Sequence, residues 1–293
     1  MSVSGEPRPA TVVVGASRGI GRAIAKVAAG DRGPVVIIAR SLDGLTAAAS
    51  DVRDAGGEPY MLQLDLLSLD TSAQLEDFLT SNRLLCDVLV NSAGYGLRGA
   101  AAALPSGSQL GMIDVNIRAL SDLTLRFLPG MVNRRRGGVI NLSSIASFSP
   151  GPNMAVYYAS KSFVRSFSEA LHEELRHTGV IVTCVAPGPV DTEFLARSGA
   201  GRAALFKILP RLTSDFVAKR AWRGFKAGRR LVIPGASAKL AALTASVLPS
   251  AILLPLIHRL QHRSSDPCRC GSGLRFSECC GKGGMRSSHT HRG

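Results

Sequence analysis

Tyr157 and Lys161 stand four residues apart, the spacing that puts two side chains on one face of a helix. An ammonium held beside a phenol favours phenolate and draws the tyrosine pKa towards the range useful for proton transfer. Ser144 lies 13 residues before Tyr157, at the end of an expected strand, where parallel sheets present their sites. A second group sits near the N-terminus. The run Gly15-Ala-Ser-Arg-Gly19-Ile-Gly21 follows an apolar β-branched stretch and leads into a helical pattern. Glycines there allow a tight turn, and the helix N-terminus offers free N–H groups and a positive dipole end to a pyrophosphate. The spacing G-x-x-x-G-x-G differs from the usual G-x-G-x-x-G, so the loop alone does not separate a phosphate cradle from an ordinary turn.

The next expected strand ends Ile37-Ile38-Ala39-Arg40, without the carboxylate that would bond the ribose hydroxyls of NAD. Arg40 could instead receive a 2′-phosphate bidentately, and Arg18 in the glycine loop points to the same neighbourhood. The expected cofactor is therefore NADP(H). A third group closes the chain. Cys268 and Cys270, then Cys279 and Cys280, flank a turn containing Gly271 and Gly273. Four thiolates in that arrangement suit a structural Zn2+, whose binding would supply the folding free energy of so short a segment. Paired disulfides and unstructured thiols are the competing readings. Cys86 and Cys184 stand alone in apolar runs, as buried core thiols do.

Alternating elements must position these groups. Short apolar runs at Thr11–Val14, Val35–Ala39, Tyr60–Leu64, Asp87–Val90, Val139–Leu142 and Ile181–Val185 read as strands of a parallel sheet covered on both faces, with Leu231–Ile233 as a seventh. Helical patterns fall near 20–30, 42–55, 71–82, 108–133, 153–177 and 214–227. With 45% hydrophobic residues among 293, the chain can bury a full core and is not a disordered protein. The net charge of +14 is unevenly placed: residues 1–199 carry 18 basic and 18 acidic side chains, residues 200–293 carry 17 and 3. Such a split suggests an appended surface for acidic partners. The first residues hold no apolar signal segment, and a cytoplasmic location is expected.

The glycine loop at 15–21, Asn91-Ser-Ala-Gly94, Asn116, Ser144, the Tyr157/Lys161 pair and Pro187-Gly188 occur in an order and spacing that resemble the short-chain dehydrogenase/reductase family, over roughly residues 10–235. The resemblance implies an α/β fold, a Rossmann-type doubly wound parallel sheet of about seven strands. It implies hydride transfer between NADP(H) and a carbonyl/alcohol pair. By that resemblance Tyr157 is the general acid/base, Lys161 depresses its pKa and bonds the nicotinamide ribose, Ser144 holds the substrate oxygen, and Asn116 keeps a relay water. Gly15, Gly19, Ile20 and Gly21 face the pyrophosphate, Asp65 bonds the adenine amine, Asn91 sits by the adenosine, and Val190 and Thr192 hold the carboxamide. Ser17, Leu66, Ala93, Gly94, Pro187 and Gly188 complete the implied cofactor contacts. Val14 and Ser92 depart from the family pattern, forfeiting a hydroxyl and shortening an amide. The four C-terminal cysteines resemble the SEC-C motif, the small zinc tail of the bacterial preprotein translocase ATPase.

The expected organisation is a reductase domain at 1–235, a hydrophobic helical extension and linker at 236–265, a zinc module at 266–282 and a disordered tail at 283–293. The segment 194–212 falls where the family carries its substrate lid and is apolar, which favours a small hydrophobic substrate. Leu240–Ile257 is uncharged over 18 residues but interrupted by Pro249 and Pro255. It reads as an amphipathic surface covering the substrate entrance, a subunit contact or a membrane face, not as a span, with Lys239 and Arg259 placed to meet headgroups. Other expected partners are a second copy of the chain, and a protein or the ribosome at the basic tail. A protein that only senses NADP(H) and recruits partners through its tail is the alternative reading. An intact Asn116, Ser144, Tyr157 and Lys161 argues against it, because a sensor needs no proton relay. A nucleic-acid module is weaker still, since only Trp222 and Phe225 could stack.

Overall fold

The computed structural model describes residues 6–194 and 210–261. Seven parallel strands, β1 (Arg8–Val14), β2 (Pro34–Ala39), β3 (Glu58–Gln63), β4 (Leu84–Asn91), β5 (Gly137–Leu142), β6 (Val180–Val185) and β7 (Leu231–Val232), form one sheet in the order β3-β2-β1-β4-β5-β6-β7. The order reverses between β1 and β4, which opens a crevice at the carboxyl ends of those strands. The expected seven-stranded fold is observed. β7 is shorter than expected, and β1 and β4 begin three residues earlier.

The β-branched runs have a direct structural cause. Successive side chains of a strand point to opposite faces. Val13, Val35, Ile37 and Ile140 pack on one face under α1 (Gly19–Ala29), α2 (Leu42–Asp54) and the helix Ser214–Lys226, which we call α7. Val12, Val14, Val36 and Val139 pack on the other under α3 (Thr71–Ser81), α5 (Leu120–Asn133) and α6 (Ala155–Glu174). Both faces are dry, so neither strand residue can be polar without a partner. Cys86 and Cys184 are buried in this core as free thiols, and burial pushes the Cys184 thiol up to about 12.

The helix expected over 108–133 differs in an informative way. It begins as α4 (Ser106–Ile113), widens into a π-helical turn at Asp114–Ala119, and continues as α5. A π turn inserts one extra residue per turn and recurs at functional sites. Here it holds Asn116. The stretch after β7 is two helices, α8 (Ala236–Val247) and α9 (Ser250–Gln261), with the break at Leu248-Pro249. Both pack on the body through Ala238, Ala242, Leu253 and Ile257, all buried. The cysteine module and the tail lie outside the described residues, as does most of the expected lid.

Candidate functional site

The crevice is a cleft of about 750 Å³. Its floor is the loop between β1 and α1, and three glycines make it possible. Gly15 (φ +83°) is so close to β4's exit that a Cβ would lie 2.6 Å from Ala93 N. At Gly19 (φ +56°) a Cβ would press on the Thr192 methyl, and at Gly21 it would lie 2.2 Å from Gly15 O. No side chain caps the N-terminus of α1, so its N–H groups face the cleft. Gly21→Ala is expected to destabilise the protein by about 1–3 kcal/mol. Thermal unfolding should show a loss of several degrees and titration a weaker NADPH complex; an unchanged Tm would mean the loop is not packed as described.

Ser17, Arg18, Ile20, Arg40, Asp65, Leu66, Ala93, Gly94 and Thr192 line this cleft with the three glycines. One oxygen of Asp65 accepts the Leu67 N–H at 3.1 Å. Arg40 is exposed, and its guanidinium has no ion-pair partner among the described residues. Arg18 differs from expectation: its guanidinium is ion-paired with Glu193, so that contact must part before Arg18 can meet a phosphate. Asn91 differs too. Its side chain turns into the interior, donating to Thr124 Oγ1 at 3.0 Å and Asn141 Oδ1 at 2.9 Å, while Asn141 in turn donates to Ser168 Oγ. It ties β4, β5, α5 and α6 together instead of lining the cleft.

Tyr157, Lys161, Ser144 and Asn116 converge where the cleft ends. Tyr157 and Lys161 lie on α6, as their spacing requires. Ser144 caps a 3₁₀ turn (Ile145–Phe148) after β5, accepting the Ala146 N–H at 3.1 Å, and its hydroxyl is near enough to the Tyr157 phenol to favour the phenolate. Tyr158 also rides on α6, and its ring covers Gly151, where a Cβ would lie 2.3 Å away. Asn116 donates to Tyr95 O and to Ser160 Oγ at 3.0 Å each and accepts from Tyr95 N at 3.1 Å. Both amide protons are used, so a relay water would have to rest on one remaining lone pair or on the backbone of the π turn. Gly94 lets this side chain and Lys161 approach: a Cβ there would lie 2.9 Å from Asn116 Oδ1 and 3.3 Å from Lys161 Nζ.

The electrostatics also differ from the simple expectation of a lysine that lowers its neighbour's pKa. Lys161 donates to Leu142 O at 2.8 Å, and its ammonium lies 6.0 Å from the centre of the Tyr157 ring. Burial dominates both groups. It pushes the Tyr157 phenol up to about 12, partly offset by the nearby Ser144 hydroxyl, and draws Lys161 down to about 8. The Tyr157 phenol is thus protonated at neutral pH.

Beyond Tyr157 lies a second cavity of about 450 Å³, lined by Ser144, Tyr157, Tyr158, Pro187, Gly188 and Val190 on the body side. Residues from Ser237 to Leu260 on α8 and α9 form the opposite wall. Among the described residues no charged side chain lines it. Thr192 and Phe194 border both spaces. The Phe194 ring packs on Tyr157 with centroids 5.4 Å apart, and Gly96 lies beneath both rings. The residues sequence reasoning missed are Gly96 and Ser160. Phe194 falls in the segment expected as the lid, and of the three places offered for 240–257 the inner face of α8 and α9 takes the one over the cavity.

The chain matches the short chain dehydrogenase family over residues 9–203. A short chain dehydrogenase of Pseudocercospora fijiensis is 32% identical over 64% of this chain and 62% of its own length. The human very-long-chain 3-oxoacyl-CoA reductase is 34% identical over 62% of this chain and 59% of its own length. The chain therefore spans about three-fifths of each of these relatives. Among solved structures, a short-chain dehydrogenase from Sphingobium yanoikuyae in complex with NADPH superposes with a TM-score of 0.70. It is 30% identical and covers 81% of this chain and 93% of that one.

Proposed function

The chain belongs to the short-chain dehydrogenase family of oxidoreductases, and from that premise we propose that it reduces a hydrophobic carbonyl compound with NADPH, using Tyr157 as general acid. One observation carries the reading. Tyr157 and Ser144 line an uncharged apolar cavity, and Phe194, packed on Tyr157, borders both that cavity and the glycine-floored cleft.

The residues of the cleft fit a dinucleotide. The crowding around Gly15, Gly19 and Gly21 keeps side chains out of the space a pyrophosphate takes, and the open α1 N-terminus faces it. Arg40 would bond the 2′-phosphate, with Arg18 joining once released from Glu193. Ser17, Asp65, Leu66, Ala93 and Gly94 would flank the adenosine half, and Pro187, Gly188, Val190 and Thr192 the nicotinamide half. The NADPH-bound relative supports this choice of cofactor. When bound, NADPH supplies the hydride. The chain's own residues do the rest. Ser144 Oγ and Tyr157 Oη hold the carbonyl oxygen, and Tyr157 passes it a proton as charge builds there. Lys161, dry and close to the cleft's end, is placed to bond the ribose and return a proton towards Tyr157. Asn116 fixes the backbone against which Lys161 rests.

The cavity wall argues for an apolar substrate, because a sugar or phosphorylated carbonyl would leave polar groups unpaired against it. The human relative named for a very-long-chain 3-oxoacyl-CoA supports a long apolar chain over a compact polar one. NADPH oxidation measured with ketones and aldehydes of increasing apolar size tests the proposal. Turnover rising with apolar length is expected; activity confined to polar substrates would overturn it.

The C-terminal zinc is part of the proposal and rests on sequence alone, since Cys268, Cys270, Cys279 and Cys280 lie outside the described residues. Those thiolates would hold one structural zinc. Removing the chain after Ser265 is expected to eliminate the metal and leave NADPH-dependent turnover near normal. An intact protein free of zinc under reducing conditions would refute the metal site.

A further inference from the structure

The second cavity opens at an unusual place. Leu240 and Leu256 line it, yet they are 66% and 47% exposed, so they stand at its mouth. From Leu240 an apolar row continues along α8 through Leu243 (62% exposed) and Val247 (73%), at the i, i+3, i+7 spacing of one helix face. From Leu256 a second row runs back along α9 to Ile252. Large side chains left exposed in rows around a cavity mouth mark a surface made to be covered. The charge pattern says by what. No carboxylate occurs between Asp215 and Asp266, while Lys239 and Arg259 stand exposed on the same two helices. Neither helix is long and apolar enough to cross a membrane.

We propose that α8 and α9 dock this protein on an anionic lipid bilayer, lying in the interface with Leu243, Val247 and Ile252 in the acyl region and Lys239 and Arg259 at the phosphates. The cavity mouth then faces the membrane, and an apolar carbonyl compound dissolved there enters between Leu240 and Leu256 without crossing water. That second half rests on the cavity being the substrate site; the docking does not. The helices are short and parallel burial is shallow, so the attachment is peripheral and reversible. Sensitivity to salt follows from the two cations.

Sedimentation of the full-length protein with phosphatidylcholine vesicles, with and without phosphatidylserine, tests this. Pelleting with the anionic vesicles, weakened by salt, is expected. Leu243→Glu with Val247→Glu should lower that binding by about a hundredfold or more, and Lys239→Glu by at least about fivefold. Neither Leu243 nor Val247 lines the cavity, so NADPH turnover on a small water-soluble ketone should be unchanged in the double variant. Equal pelleting of wild type and double variant would place the contact elsewhere and overturn the proposal. So would an absence of pelleting with a dimer on gel filtration that the double variant breaks, which would assign the surface to a second copy. Vesicle binding without any ketone reduction would leave the docking intact and refute the reductase reading instead.

Discussion

Tyr157→Phe is expected to lower kcat/KM for carbonyl reduction by about 10²–10⁴, the range removed with a positioned general acid. NADPH affinity should stay within a factor of about two, because the lost hydroxyl faces Ser144 and the substrate cavity. Tyr158→Phe is the control. Its ring lies over Gly151, and the variant should retain most activity. Exchange of the two phenotypes would show that the neighbouring tyrosine is the acid. A pH dependence follows from the same burial. The phenol, pushed up to about 12, is protonated throughout the neutral range, so reduction has its acid in place. Alcohol oxidation needs phenolate, and its rate should rise between about pH 6 and 9. Lys161, drawn down to about 8, loses its charge within that window. Oxidation that does not respond to pH would mean that bound cofactor holds the phenol far below about 12.

Arg40→Asp should reverse the cofactor preference. The substitution removes a charged hydrogen bond to the 2′-phosphate, about 1.5–3 kcal/mol, and places a carboxylate near it. NADPH affinity is therefore expected to fall by about ten- to 150-fold. NADH affinity should hold or improve, because a carboxylate at the end of β2 suits ribose hydroxyls. Arg40 is the better target than Arg18, whose guanidinium is already paired with Glu193. Equal affinity of the unmodified protein for the two cofactors would rule out the 2′-phosphate role of both arginines.

The centre of the sheet was legible because its strands are dry on both faces. Runs such as Val35–Ala39 admit no polar residue, and that composition is visible without any partner being known. Tyr157 and Lys161 were legible for a similar reason: helix geometry converts a spacing of four into a shared face. Strand starts were less so. Arg8 and Leu84 begin β1 and β4 through backbone pairing that leaves little mark on side-chain type.

By itself, then, the sequence determined which residues are candidates for the chemistry and on which elements they ride, since local periodicity and glycine tolerance are properties of the chain. Tertiary structure decided what those residues touch. Asn91 turned inward, where Thr124 and Asn141 accept both protons of its buried amide nitrogen. Asn116 reached Tyr95 and Ser160 only because the helix widens into a π turn at that point. Burial, which no local pattern reports, moved Tyr157 and Lys161 away from charge in opposite directions. The hydrophobic stretch after β7 was readable as apolar, but only folding could place one side of it over Tyr157 and leave the other in solvent. A helix can bury only the face its neighbours cover, and those neighbours are more than forty residues away in the chain.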